Sequence, residues 1–569
     1  MNQLDCIVIG YNDLPFNSLA DKHRPFQEYN GTYGEIKTNS VLINGQRMTY
    51  MELLNHVITG IHGSDPNLNA FEVPNLGAVY LTSFLRNRGF SVELINFFNF
   101  EKDHLASLLM ESPRAVAITT TYYIDEDPIK EIIEFVRERA PETRIILGGP
   151  YIHSACADNR PATQNVLFNS IGADFHIVDS QGEATLAQVL SCLKAGRDSR
   201  LVFVPNLIYK NRDSTWVRTH RVEEHNSLDE NAVNWRSFDP QFFTPTSYMR
   251  TARSCPFACS FCNYPAMSGD HTVSSVETVR DELRYLVDNG LKYMIFVDDT
   301  FNVPLPRFKQ LCRMMIEEKL NLQWVSFFRC SNADDECFDL MKESGCLGVY
   351  LGIESGDQQI LNNMNKFANV PRYREGIKKL KERDILTFGS FIMGFPGETK
   401  QSVNNTIEFV EETAPTFFNV QLYFHDPMAP IHQKREEYGI QGNYYNWRHN
   451  TMCWQEGAEW VEYMLRRVDK SFPLTLNGFS IWSIPYLLQN GFSVEQVTNF
   501  AQTARKMLVK GLSDTGESCR DEEEEMRSIF SSWDPQSRLS NLKYVSSTGL
   551  NEISPTAPGP NAYTASPVG

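Results

Sequence analysis

The sequence predicts an α/β fold in two successive units followed by a helix-rich segment, and three observations predict it. Short apolar runs alternate with helix-period stretches over residues 1–210 and again over 246–429, the pattern of parallel sheets covered by helices. A polar, irregular stretch, 211–245, separates the two series and reads as a linker. From 430 to 532 the pattern changes to aromatic-rich helices, and residues 533–569, rich in Pro, Ala, Ser and Gly, read as a largely disordered tail.

In the first series Cys6–Ile9 is a strand, and an insertion, 17–72, separates it from its helix. Asn44-Gly45 inside that insertion signals a tight hairpin over Val41–Thr49, and the insertion is expected to cover part of a site, the alternative being a purely structural decoration. A helix from Leu76 closes at Gly89, and strands follow at Ser91–Ile95, Ala115–Ile118 and Arg144–Leu147, with a helix over Ile129–Glu138. This is a doubly wound sheet, whose ligands sit beyond the carboxyl ends of its strands. Three segments lie there: Thr119-Thr120-Thr121, Gly148-Gly149-Pro150 and Ser180-Gln181-Gly182-Glu183.

The second series starts near Ser247. Its first strand runs into a cysteine loop, and Ser274-x-x-Glu277 reads as a capping box opening the next helix. Strands recur at Tyr293–Val297, Gln323–Phe327, Gly348–Gly352, Thr387–Ile392 and Phe418–Tyr423, giving six βα units. They end in Asp298-Asp299, Arg329, Glu354-Ser355 and Gly394-Phe395, polar or glycine-containing ends suited to a ligand face. His449 and Asn450, in the aromatic segment, are candidate substrate groups.

Composition narrows the function. A hydrophobic content of 42% with 22% charged residues is ordinary for a soluble globular chain. A net charge of −17 argues against nucleic acid, which needs clustered Lys and Arg. The first ten residues carry no secretory signal, and no apolar run is long enough to span a bilayer. Nine of the 12 cysteines are scattered through apparent strands and helices, as in a reduced, cytoplasmic protein.

The other three form Cys255-x3-Cys259-x2-Cys262. Thiolates at this spacing can hold three irons of a cubic cluster that ordinarily takes four cysteines. One iron then stays open to a molecule carrying an amine and a carboxylate on one carbon. The competing reading is structural zinc on these cysteines and His271, but such sites favour paired C-x-x-C knuckles and no second knuckle occurs.

With Phe261 before the third cysteine, the motif resembles the C-x3-C-x-aromatic-C of the radical S-adenosylmethionine (SAM) enzymes. The resemblance implies a partial (β/α)6 barrel, a [4Fe-4S] cluster on the three cysteines, and SAM chelating the fourth iron and cleaved there to a 5′-deoxyadenosyl radical. It also implies SAM contacts at Phe261, Asp298, Asp299, Arg329, Glu354, Ser355, Gly394 and Phe395. The aspartates would meet the amino group, one of them serving as a helix cap instead, and Arg329 would meet the carboxylate unless it is a surface residue. Glu354 and Ser355 would meet the ribose, and Gly394-Phe395 the adenine.

The doubly wound unit ahead of this motif is similar to the Rossmann-like cobalamin-binding domain of the cobalamin-dependent radical SAM group. That implies cobalamin contacts at Thr119, Thr120, Thr121, Gly148, Gly149, Pro150, Gly182 and Glu183. A D-x-H-x-x-G motif is absent; Asp174-Phe-His176-Ile-Val-Asp179 sits in a strand pattern and ends in Asp. The expectation is therefore cobalamin without a protein histidine on cobalt, the alternative being a relic domain with no ligand. The general pattern most resembles the phosphinate P-methylases. It implies an antibiotic-type natural-product methyltransferase acting on a small molecule or peptide and served by an electron donor such as flavodoxin or ferredoxin, with no nucleic acid or membrane partner. The alternatives are oxidation, cyclisation or ring contraction without methyl transfer, and a non-enzymatic cobalamin sensor.

Overall fold

The computed structural model describes residues 3–156, 160–476, 478–513 and 516–534. Strand β1 (Cys6–Tyr11) is buried over its first five residues because it lies inside a seven-stranded sheet. Its partners are β2 (Val92–Phe97), β3 (Ala115–Thr119), β4 (Arg144–Gly148), β5 (Phe175–Ile177), β6 (Leu207–Lys210) and β7 (Trp216–Arg218), in the order β2-β1-β3-β4-β5-β6-β7. The first five strands are parallel, and β6 and β7 form an antiparallel edge. The chain passes from β1 to β2 on one side and then to β3 on the other, so the switch point lies between β1 and β3.

Residues 211–245 are not a free linker. They contain β7, and Glu224 caps the helix Glu183–Lys194 by accepting from the Ala184 and Thr185 backbone N–H groups, both at 2.8 Å. The insertion forms the expected hairpin, Val41–Ile43 against Gln46–Met48, turning through Asn44 (φ 50°) and Gly45 (φ 80°). Positive φ at both turn positions is what a two-residue hairpin demands.

The second sheet contains β8 (Thr246–Met249), β9 (Tyr293–Phe296), β10 (Gln323–Phe328), β11 (Cys346–Glu354), β12 (Leu386–Met393) and β13 (Phe417–Leu422), all parallel. A short seventh strand, β14 (Phe472–Pro473), extends it past the six expected. Side chains alternate across these strands. Phe328 packs on Phe338, Phe391 on Phe409, and Leu422 against Gly457, all three partners lying on helices outside the sheet. The opposite face lines the barrel interior, where Tyr248, Phe327, Tyr350, Gly352, Ile392 and Gln421 remain only half-buried. Partial exposure at mid-strand positions means that the barrel is hollow.

Three expectations change. The helix Val276–Asp288 is capped by Ser275, whose side chain accepts from Thr278 N–H, so there is no Ser274/Glu277 box. The aromatic run 441–453 forms a three-stranded antiparallel sheet and not a helix: Trp447 and His449 point inward while Asn446 and Arg448 point out, a period of two. The helices Trp454–Arg467, Ser483–Gln489, Val494–Gly511 and Arg520–Phe530 do not stand apart as a separate unit; they pack with the insertion, through Arg47 Nη2 donating to the Gly511 carbonyl (2.8 Å) and the Lys37–Glu462 pair (3.0 Å). Trp533 closes this pack, its indole N–H donating to the Asn490 carbonyl at 3.0 Å. The rest of the expected tail, past Asp534, lies outside the described residues.

Candidate active site

The cysteine loop is fastened at both ends. Ala252–Arg253 pairs with Thr272–Val273, and Ser254, at φ 66°, turns the chain into Cys255. Further on, Ser260 N–H donates to the Met364 carbonyl (2.8 Å), Asn365 Nδ2 to the Ala258 carbonyl (2.7 Å), and Ile431 N–H to the Ser260 carbonyl (2.8 Å). Cys255 Sγ lies 3.2 Å from Thr300 Oγ1. Burial pushes the Cys262 thiol up to about 11, helped by the charges of Cys259, Cys255 and Asp299, so the three thiols and Asp299 share one pocket. Among the described residues no three His, Cys, Asp or Glu side chains are gathered as tightly as a single metal ion requires. Thiols around a cube need not be, because each binds a different iron. His271 faces the charge of Arg307.

The strand-end residues divide into those that are free to bind and those that are already engaged. Asp298 is 1% exposed, and its oxygens accept from Thr251 N–H (2.6 Å), Ala252 N–H (2.9 Å) and Thr251 Oγ1 (2.5 Å). It holds the root of the cysteine loop, and with three of its about four acceptor positions filled it is a structural carboxylate first, not the open SAM contact expected. Asp299 stays available: burial raises its carboxyl to about 7, against a hydrogen bond from Tyr264 and with Asp298 adding to the rise.

Arg329 is buried, 7% exposed, yet among the described residues its Nη2 has no partner, and its guanidinium lies 3.6 Å from the Phe257 ring centroid. A buried cation beside the cysteine loop without a carboxylate fits an anion supplied from outside. With Asp299 opposite in charge, the pair suits the amino-acid end of SAM.

Glu354 sits at φ 67° after a register shift in β11, and Oε1 accepts from Lys366 Nζ at 2.7 Å. Lys366 also lies 5.5 Å from the Phe261 ring centroid and feels the charge of Cys259. Glu354 is thus steered by a lysine, with Oε2 left over. Ser355 is not a ribose contact: it is fully buried, its hydroxyl engaged with Thr406 Oγ1 (3.2 Å) and Asp357 N–H (3.1 Å). Gly394, at φ 90°, donates its N–H to Glu398 Oε2 (2.5 Å), and its carbonyl lies 3.0 Å from His449 Nε2. A Cβ there would meet Trp447 at 2.5 Å, so only glycine fits. Phe395 is fully buried against Tyr423, whereas Ile392 is a half-buried apolar residue on the inward face. Asn450 is exposed at the rim, bonded to the Glu437 carbonyl (3.2 Å).

On the first sheet, Thr119 Oγ1 donates to the Gly10 carbonyl (2.6 Å) and Thr120 Oγ1 to the Gly148 carbonyl (2.9 Å), so both hydroxyls tie strand ends together. Thr121 and Pro150 are exposed, and a Cβ on Gly149, at φ 112°, would meet Thr120 Oγ1 at 3.0 Å. Gly182 and Glu183 are not open to a ligand: Glu224 occupies that helix start, and Glu183 Oε2 accepts from Asn226 (3.0 Å). His176 is buried in β5, stacked on Phe168 with centroids 3.9 Å apart, and does not reach a strand end. A cavity of about 1100 Å³ opens beyond β1, β2 and β3, lined by Tyr11, Asp13, Phe97 and Tyr122 and by Asn17, Glu52 and Asn69 of the insertion. Residues of the insertion thus line this cavity, whose volume is large enough for a macrocyclic cofactor.

The first unit meets the second at the cysteine loop. Arg253, two residues before Cys255, donates from Nη1 to the Asn226 carbonyl (2.8 Å) and lies beside Tyr80 and Glu183 of the first unit. Arg250 sits 5.2 Å from the Tyr80 ring centroid.

A Radical SAM superfamily model matches residues 249–410, and a B12 binding domain model matches residues 69–166. The chain joins a B12-binding domain to a radical SAM domain. Those domains go with a [4Fe-4S] cluster, SAM and cobalamin. An uncharacterized methyltransferase of Pyrococcus horikoshii is 27% identical over 351 residues, 60% of this chain and 73% of that one. The anaerobic magnesium-protoporphyrin IX monomethyl ester cyclase of Cereibacter sphaeroides is 26% identical over 383 residues, 63% of this chain and 60% of the cyclase. In architecture the chain is similar to the radical SAM methyltransferase TsrM of Kitasatospora setae, solved with cobalamin and a [4Fe-4S] cluster, at a TM-score of 0.59, 18% identity and coverage of 93% of this chain and 99% of that one. It is also similar to the cobalamin-dependent SAM radical enzyme OxsB with aqua-cobalamin, at a TM-score of 0.55, 14% identity and coverage of 88% and 89%. Among the described residues no helix is long and apolar enough to cross a membrane.

Lys366, Arg250, Arg253 and Tyr264 lie among the candidate site residues although sequence reasoning passed over them. Only the arginines carried a signal, since they flank the cysteine motif on the strand side.

Proposed function

We propose that the protein is a cobalamin-dependent radical SAM methyltransferase that moves a methyl group from SAM, by way of cobalamin, to an unactivated phosphinate phosphorus or carbon of a natural-product precursor. The observation that carries this reading is the junction at Arg253, where the cysteine loop and the strand-end face of the B12-binding domain share one polar cluster. A methyl carrier and a radical initiator must address one substrate, and contact between the two units at this junction supports that reading.

In this reading Cys255, Cys259 and Cys262 hold the cluster, Asp299 and Arg329 orient the ammonium and carboxylate of SAM, and Lys366 sets Glu354 toward the ribose. The backbone at Gly394, fixed by Glu398 and His449, offers the adenine contact. Thr121, Gly149 and the cavity walls hold cobalamin. The cofactors, when bound, supply a methyl donor and a one-electron route to cleave SAM; an electron donor such as flavodoxin or ferredoxin feeds the cluster. The phosphinate assignment is supported by sequence pattern, and the methyl-transfer assignment also by the relatives named above.

The test is anaerobic incubation of the reconstituted protein with methyl-labelled SAM, cobalamin and candidate phosphinates or peptides. The expected product is heavier by one labelled methyl group. A product formed by oxidation, cyclisation or ring contraction without added label rejects the reading.

A further inference from the structure

Asn419 lies on β13 in register with Ser390 of β12, which is in register with Gly352 of β11. In-register residues on parallel strands point to one face, and this face is the barrel hollow, since neighbouring Val420 and Leu422 are buried on the side where Leu422 meets the outer helix. One layer deeper lie Phe327, Tyr350 and Phe388, with Trp482 stacked parallel to Tyr350, their centroids 5.9 Å apart and planes 7° apart. One layer nearer the mouth, Gln421 faces the same way and is half-buried.

Asn419 is only 4% exposed, and among the described residues neither its Oδ1 nor its Nδ2 has a hydrogen-bond partner. A carboxamide offers two donors and two acceptor positions, and burying both ends unmet opposes folding. An aliphatic side chain of similar size would fold better at this position. Ser390, beside the Tyr350 hydroxyl, adds a second polar group to the same layer.

We propose that Asn419 is a substrate-specificity residue: it reads the paired donor and acceptor of an amide or carboxamide carried on a planar group that packs against the Trp482–Tyr350 floor. The inference rests on the reading that substrate enters the barrel from its carboxyl end, and it adds a substrate class that the cofactor sites leave open.

The probe is benzamide, with acetophenone as a near-isostere lacking the amide donor, titrated into full-length protein carrying cluster and cobalamin. The wild type is expected to hold benzamide about tenfold more tightly than acetophenone. Asn419→Leu should erase that preference, raise the urea midpoint of unfolding and leave SAM affinity unchanged. Asn419→Asp, which offers acceptors only, should also lose the preference while keeping side-chain volume. A lowered midpoint in Asn419→Leu would show that the carboxamide is satisfied within the fold and overturn the proposal. So would an undiminished benzamide preference, or a fall in SAM affinity, which would mean that Asn419 reads adenine. None of these readouts requires methyl transfer, so failure of the product-mass experiment and failure of this one are distinguishable.

Discussion

Lys366 Nζ lies 2.7 Å from Glu354 Oε1, and both side chains are 10% exposed. The pair joins two elements of the barrel mouth that are otherwise independent. Glu354 ends β11, whereas Lys366 follows the turn whose Met364 and Asn365 hold the cysteine loop. One cation therefore couples the ribose side of the site to the cluster side. Removing one partner of a buried pair leaves the other uncompensated, which costs about 3–5 kcal/mol. Lys366→Met should destabilise the protein on that scale in urea unfolding, and adding Glu354→Leu should restore most of the loss. Equal stability of the single and double variants would deny the coupling.

Arg329 should behave in the opposite way. Its Nη2 already lacks a partner, so Arg329→Met removes an unmet charge and should not lower stability. A charge-assisted bond contributes roughly 1.5–3 kcal/mol, so SAM affinity should fall about tenfold to a hundredfold by equilibrium dialysis. Unchanged affinity would show that the guanidinium does not meet the SAM carboxylate.

The insertion carries a pH-sensitive clamp. Glu35 Oε1 accepts from Leu422 N–H at 2.5 Å, and burial raises its carboxyl from 4.5 to about 8, partly opposed by that bond. Between those values the folded chain binds more protons than the unfolded one, so this group makes stability fall as pH rises from about 4.5 to 8. The slope is at most about 1.4 kcal/mol per pH unit. Glu35→Gln keeps the acceptor oxygen, so it should flatten this part of the profile and stabilise the protein at pH above 8 relative to wild type. A parallel pH profile for the two proteins would refute the assignment.

The cofactor ligands yield a paired spectroscopic expectation. Changing Cys255, Cys259 and Cys262 together to alanine should abolish the brown cluster absorbance and all SAM cleavage. In the wild type, spin resonance of bound cob(II)alamin should show no nitrogen coupling from a protein histidine, because His176 is stacked inside the first sheet. Retained absorbance in the triple variant, or a histidine coupling in the wild type, would break the corresponding assignment.

Some of these residues were legible before folding was known and others were not. The Asn44-Gly45 turn, the strand runs and the cysteine spacing are local, and local chemistry writes them directly into sequence. The outward-inward alternation of Asn446-Trp447-Arg448-His449 was also present, but the aromatic run hid it behind a helical reading. Asp298 and Asp299 are adjacent and chemically identical; only the backbone N–H groups of Thr251 and Ala252, 46 residues or more away, decide that the first is structural and the second free.

The sequence by itself determined the two α/β units, the thiolate triad and the order of strand ends around it, because periodicity and motif spacing act over a few residues. The tertiary structure alone decided which strand-end groups are engaged and which are left over. It paired Glu354 with Lys366, filled the Gly182 helix start with Glu224, and left Arg329 Nη2 and the Asn419 carboxamide without hydrogen-bond partners among the described residues. Such outcomes depend on which donors and acceptors the fold brings within about 3 Å of one another, and no stretch of sequence carries that distance.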